Sequence, residues 1–287
     1  MEDVLGVLLA LWQNYLDGLD PAQHRVAGTV KTLRGVYSPV LENKRDIFVY
    51  LPPSYGQMSR RYPVIYMHDG QNLFDGGASF AGEWEADEAM ESLSEDGIEA
   101  ILVGVGNVGD ARIREYQPFS HPYFGAGRGD AYLRFVLESV KSIIDADFRT
   151  LPDRAHTGMI GSSLGGLITL YAYFKFSAHV GFVGALSPSL WIARTPLRSF
   201  IESAPAPPGR IYLDIGTAEY SLDAQRRWRY DALKDYRGMR DLLIQKGYAL
   251  NESLMYVEDE GGMHNEADWA RRLPAALRFL LEPLMKR

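Results

Sequence analysis

The sequence predicts an α/β fold, a mainly parallel central sheet with helices on both faces. Two patterns predict it. Short, wholly apolar runs recur along the chain, Val64–Met67, Ile101–Val105 and Phe182–Leu186 among them, and such runs mark strands covered on both sides. Segments with helical spacing separate them, which joins neighbouring strands through right-handed crossovers and makes them parallel. The composition agrees, since 46% apolar and 23% charged residues in 287 is ordinary for a folded chain.

The elements follow in order. Val4, Leu8, Leu11 and Tyr15 fall at helical spacing and predict an N-terminal helix over residues 1–23, stopped by Asp20-Pro21. Strands are expected over Val30–Val36 and Asp46–Leu51, the second ended by Pro52-Pro53. Val64–Met67 is a strand entering His68-Asp69-Gly70, and Ile101–Val105 is the next. Over Asp130–Ile144, the residues Leu133, Val136, Leu137, Val140, Ile143 and Ile144 form one helical face, with Asp130 as N-cap. A strand at Thr157–Gly161 leads into a helix from Leu164 to about Phe176. Phe182–Leu186, Ile211–Ile215 and Ser253–Val257 complete the strands, the last two separated by a helix from about Ala224 to Gly247. A helix from near Glu266 to Met285 closes the chain. The Pro-rich stretch Ala204–Gly209 is too short for a linker. Residues 25–287 are therefore expected to form one domain behind a helical extension of residues 1–24.

Several function classes drop out. The chain has no cysteine, which excludes disulfides, thiolate catalysis and Cys-ligated metals. A net charge of −7 argues against nucleic acid or an anionic membrane surface as partner. Apolar stretches such as Val4–Trp12 are far shorter than the about 20 residues that span a bilayer. The opening Met-Glu-Asp lacks a basic leader region, so a cytoplasmic location is expected. The acidic run Glu258-Asp259-Glu260 reads as a solvated loop, and no metal site is expected from its spacing.

In a parallel sheet, chemistry sits at the carboxyl ends of the strands. Gly161-Ser162-Ser163-Leu164-Gly165 lies there, a G-x-S-x-G that follows a strand and opens a helix. The turn is so sharp that residues flanking the serine need to lack a Cβ, and the helix start supplies unpaired N–H groups beside its hydroxyl. Ser163, at the centre, is the expected nucleophile. A serine hydroxyl needs a base. Of six histidines, His264 follows the last strand in a glycine-containing turn, Gly261-Gly262-Met263-His264. An acid should follow an intervening strand, in the order Ser, Asp or Glu, His. Glu219 is the first carboxylate beyond Ile211–Ile215, with Asp223 as the alternative. An oxyanion needs two converging N–H donors. The amide of Leu164 is one and that of Gln71, in the turn held by Gly70, the other. The polar stretch Asn107–Tyr116 is expected to lock its loop through ion pairs and to bring Asn107 to the cleft, and Trp191 and Trp84, near strand ends, either wall it or pack in the core.

These residues stand in stretches that resemble the esterase family of α/β hydrolases, specifically its enterochelin-esterase-like and esterase D-like members. The matching stretches are Val49–Tyr55, Tyr66–Asp75, Val103–Asn107, Arg114–Tyr116, Ile160–Gly166, Leu186–Trp191 and Gly262–Glu266. Feruloyl and acetylxylan esterases and mycolyltransferases are more distant members. The resemblance runs from about residue 29 to 283 and implies an α/β-hydrolase fold. It implies a triad of Ser163, an acid near Glu219, and His264, with an oxyanion hole of the Gln71 and Leu164 amides. The expected activity is hydrolysis of a small-molecule carboxylic ester through an acyl-enzyme, with no metal or organic cofactor, and homo-oligomerisation is left open. The alternatives are acyl transfer to a sugar or lipid alcohol, and a non-catalytic carbohydrate- or partner-binding module.

Overall fold

The computed structural model describes residues 12–79, 81–219 and 232–285. A single nine-stranded sheet organises them, in the order β1-β2-β3-β5-β4-β6-β7-β8-β9. The strands are β1 Gln13–Asn14, β2 Thr29–Ser38, β3 Asn43–Leu51, β4 Val64–His68, β5 Ile101–Val105, β6 Thr157–Ser162, β7 Phe182–Leu186, β8 Arg210–Gly216 and β9 Leu254–Asp259. β1, β2 and β3 run antiparallel, as do β3 and β5. From β5 onward every neighbouring pair is parallel. The strand ends β4, β6, β7, β8 and β9 therefore point to one rim.

Each apolar strand alternates its side chains between two cores. One face is covered by α1 Ala86–Ser94 and α6 Glu266–Met285, with Met67, Leu102, Ile160 and Tyr212 inside. The other face carries the long helix α2 over residues 129–147, then α3 Leu164–Lys175, α4 Arg194–Ser203 and α5 Ala232–Gln245, against Val103, Met159, Val183 and Leu213. The fold is the α/β architecture expected from the alternating pattern.

Several local expectations are corrected. Residues 12–23 form no helix. Gln13 and Asn14 pair with Thr32 and Lys31 as an edge strand, and turns follow through Gly18. Two side chains explain this: the Trp12 indole donates to Asp147, and the buried Tyr15 hydroxyl donates to Asp75, which pins the segment flat against the sheet. Residues 1–11 of that helix, and 224–231 of the expected later one, lie outside the described residues. Asp130 does not cap its helix. The helix begins at Gly129, and the Asp130 carboxylate accepts from the Tyr171 hydroxyl on α3. Within that helix, Phe135–Val140 adopts the wider π spacing. Glu258 and Asp259 are not a solvated loop. They end β9, and Arg237 and Arg271 pair with them. Among the described residues three α-helices were not foreseen, α1, α4 and the four-residue Arg112–Glu115, although Ala86, Ala89, Met90 and Leu93 carry helical spacing.

Candidate active site

The geometry at the rim begins with backbone. β6 ends at Ser162, α3 begins at Leu164, and Ser163 makes the turn between them with φ 54° and ψ −122°. A non-glycine residue in this region is strained, and the packing explains why the turn is so tight. A Cβ at Gly161 would sit 2.6 Å from His68 Cδ2 and 2.7 Å from the Gly165 carbonyl carbon. His68 is itself fixed, with Nδ1 2.7 Å from the Tyr132 hydroxyl and Nε2 3.0 Å from Thr169 Oγ1. Complete burial pushes its pKa down to about 3, so it is a neutral wedge under the turn.

Three predicted residues converge above that turn. Ser163 Oγ lies 3.0 Å from His264 Nε2, and His264 Nδ1 lies 2.8 Å from Glu219 Oε2. Glu219 follows β8 and His264 follows β9. Backbone bonds from Thr217 N to Asp259 O, at 2.9 Å, and from Ala218 N to Gly262 O, at 3.0 Å, tie the two loops together. The Trp269 ring meets the imidazole edge-on at 4.9 Å. Asp223, the alternative acid, lies outside the described residues.

The second oxygen of Glu219 is fully occupied. Oε1 accepts from the Gly216 amide at 2.9 Å and from the Ser187 hydroxyl. Ser187 Oγ in turn accepts from Trp269 Nε1 at 3.1 Å and from Arg272 Nη2 at 2.8 Å. Both of those nitrogens can only donate, so the one Ser187 proton points at Glu219. Ser189 Oγ lies 3.1 Å from Ser163 Oγ, and its amide donates to the Ser163 carbonyl. With the Ser163 proton directed at His264, the Ser189 hydroxyl is left as donor to the Ser163 oxygen.

The rim opens into a cleft of about 720 Å³ lined by Ser163, His264, Gln71, Asn107, Trp84 and Trp269, with Asp69, Arg112 and Glu266 among the polar walls. Leu164 opens α3 beside Ser163, and its N–H belongs to the helical turn that lacks intrahelical acceptors. Gln71 sits in a 3₁₀ turn after β4. In that turn the left-handed residue is Asp69, at φ 56°. Gly70 is needed for close approach instead, because a Cβ there would lie 2.6 Å from the Gly104 carbonyl carbon.

Asn107 reaches the cleft and donates to Asp69 at 2.7 Å, and Arg112 grips the same carboxylate through Nε and Nη2, each at 2.7 Å. Burial alone would raise the Asp69 pKa, but Arg112 and Asn107 overcome it and hold the group below its ordinary range. The polar stretch thus both locks its loop and lines the cleft. Trp84 does line the cleft, whereas Trp191, 46% exposed on the turn after Ser189, is not among the lining residues. Burial raises the pKa of Glu266 at the cleft wall.

Sequence reasoning passed over Ser187, Ser189, Trp269 and Arg272. The two serines stand just past the carboxyl end of β7, where the strand-end rule points. Among the described residues, Glu83, Asp87 and Glu88 bring carboxylate oxygens within 4.8 Å of one another. Burial first, and then the neighbouring carboxylates, push Glu83 up to about 7 and Asp87 up to about 9.

A parallel sheet with a strained serine at the β6–α3 turn and a histidine after the last strand is the α/β-hydrolase arrangement. Residues 38–280 match the family model described as "Putative esterase", and the chain belongs to this esterase family. It is a carboxylic ester hydrolase. Over 254 residues it is 26% identical to the uncharacterized protein YbbA of Bacillus subtilis (strain 168), covering 86% of this chain and 97% of that one. It is 32% identical over 133 residues to the siderophore triacetylfusarinine C esterase of Aspergillus fumigatus, and there it spans 44% of the relative's length and 45% of its own. The IroE-like serine hydrolase from Shewanella oneidensis superposes with a TM-score of 0.70 at 19% identity, over 88% of this chain and 80% of that one. Among the described residues no helix is long and apolar enough to cross a membrane.

Proposed function

We propose that the protein hydrolyses a small-molecule ester through an acyl-enzyme on Ser163, with His264 as base, Glu219 as acid and the amides of Gln71 and Leu164 as oxyanion hole. The observation that carries this is the unbroken path Ser163 Oγ–His264 Nε2 at 3.0 Å and His264 Nδ1–Glu219 Oε2 at 2.8 Å. Both separations lie within direct proton-transfer range.

In the first half-reaction Ser163 Oγ bonds to the ester carbonyl carbon while its proton passes to His264 Nε2. The carbonyl oxygen becomes an oxyanion between two amides. Collapse breaks the bond to the alcohol oxygen, and His264 returns the proton to it. Water then adds to the acyl-enzyme by the same path and releases the acid. Throughout, Glu219 Oε2 accepts from Nδ1–H, keeping the imidazole in the useful tautomer and stabilising its cation without taking the proton.

Two features fit the hydrolysis of a small ester. The cleft of about 720 Å³ is within the range that suits a small ligand, and the His264 side chain is 26% exposed, so water reaches it. The siderophore ester named for the Aspergillus relative is the first natural substrate class to screen, beside aryl and sugar esters. The direct test is Ser163→Ala with a p-nitrophenyl ester. We expect a loss of about 10⁴-fold or more in kcat with an unchanged fold, and stoichiometric phosphonate labelling of Ser163 in the parent. Labelling at a different serine, or a variant as active as the parent, refutes the assignment.

A further inference from the structure

We propose that Arg272 and Ser187 are positioning residues for Glu219, holding its Oε1 and setting a fixed positive charge beside it so that Oε2 serves His264. This rests on the triad reading above and adds what makes the acid of that triad work.

Arg272 lies on α6 and is 4% exposed. Its guanidinium stands between three carboxylates. Nη2 is 3.6 Å from Glu219 Oε1, Nη1 is 3.3 Å from Asp259 Oδ2, and Nε is 3.2 Å from Asp214 Oδ2, at ion-pair range but outside hydrogen-bond alignment. These acids are not equally provided for. Asp259 has the second arginine, Arg271, on two of its oxygens. Asp214, at the core of β8, accepts from the Ser187 amide at 2.8 Å and the Tyr212 hydroxyl at 3.1 Å. Burial nevertheless pushes its pKa up to about 7, with Arg272 opposing the rise and Glu219 adding to it.

The titratable and charged groups that face Glu219 are thus His264 and Arg272 from the segment after β9 and Asp214 from β8, with Tyr212 behind Asp214 and Asp259 and Arg271 on the far side of Arg272. Without Arg272 two buried carboxylates face each other with no fixed cation between them. Two like charges so close then favour taking up a proton. A proton on Glu219, or a tighter one on the Glu219–His264 pair, removes the species in which His264 can act as base. Ser187 completes the device. Its oxygen takes a donor from Arg272 and another from Trp269, so its proton is committed to Oε1. The arginine therefore acts on Glu219 both through space and through that hydroxyl.

The test is the pH profile of kcat/KM with a p-nitrophenyl ester for Arg272→Gln, Arg272→Lys and Ser187→Ala. A fixed cation at this range is worth about one to three pH units. We expect the acidic limb of Arg272→Gln to move up by about one to two units, leaving a loss of about 10- to 100-fold at pH 6 that narrows at pH 9. Arg272→Lys, which restores the charge, should bring the limb most of the way back. Ser187→Ala should shift it in the same direction by less, and it decides the matter if Arg272→Gln does not fold. An unmoved limb with an equal loss at every pH, or Lys no better than Gln, overturns the proposal and leaves Arg272 a merely structural residue. Ser163→Ala runs in parallel. If it retains activity, the triad reading itself has failed, and that outcome is separate from an unmoved limb in a Ser163-dependent enzyme.

Discussion

Replacing Glu219 by glutamine changes one atom and should all but stop the enzyme. The amide must place an oxygen at one position and an NH₂ at the other. The position of Oε1 receives the Gly216 N–H at 2.9 Å and the Ser187 hydroxyl. Neither donor can tolerate an NH₂ there, because the Gly216 amide has no acceptor and the Ser187 oxygen already takes Trp269 and Arg272. The glutamine oxygen therefore occupies the Oε1 position. Its NH₂ then faces His264 Nδ1 at 2.8 Å and makes that nitrogen an acceptor. The ring proton moves to Nε2, which donates to Ser163 instead of accepting from it. An imidazole in the wrong tautomer costs about 10⁴-fold in kcat in serine hydrolases that use the same constellation, equivalent to about 5.5 kcal/mol of transition-state stabilisation. Loss of the negative charge is included in that figure. Steady-state hydrolysis of a p-nitrophenyl ester should show a fall in kcat of about 10³- to 10⁴-fold with KM changed little, and thermal unfolding should move only a few degrees. A glutamine variant within tenfold of the parent would refute both the tautomer argument and Glu219 as the acid.

Other outcomes follow from the turn beneath the serine. Gly161→Ala puts a methyl 2.6 Å from His68 Cδ2 and 2.7 Å from backbone, so it should destabilise the protein by about 1–3 kcal/mol or more. Denaturant unfolding at parent-like midpoints would contradict the packing described. His68 has a folded pKa of about 3 against about 6.5 when unfolded. The unfolded chain therefore binds the extra proton between those values, and stability is complete above about pH 6.5 and declines as pH falls toward 3. The slope from this group is about 1.4 kcal/mol per pH unit. His68→Gln should remove close to one proton from the uptake on unfolding at pH 5, and an unchanged uptake would show that His68 is already charged in the folded state.

The fold was legible because its strands are short, apolar and interrupted by helical spacing, a signal that burial on both faces imposes on sequence. The three polar residues at the rim were legible for a different reason. Ser163 sits in a steric motif, Glu219 is the first carboxylate after β8, and His264 is the first histidine after β9. What was not legible depends on contacts distant in sequence. Nothing in the pattern around Trp12 and Tyr15 reveals that Asp147 and Asp75 will flatten that segment against β2. Nor does the local sequence show that Asp130 prefers the Tyr171 hydroxyl to its own helix start. Arg272 looks like any helix-face arginine until α6 lies across β7 and β8. Trp191 was expected at the cleft because it follows a strand end, but the 3₁₀ turn Leu190–Ile192 carries it past the rim.

On the reading proposed above, the acting groups stand on three separate loops, and each is aimed by a strand that pairs only with its neighbours. Ser163 depends on β6, Glu219 on β8 and His264 on β9, and β7 is the spacer that sets how far apart the first two stand. No shorter part of the chain can gather them, so turnover regained after denaturation is a clock for the alignment of this whole half of the molecule.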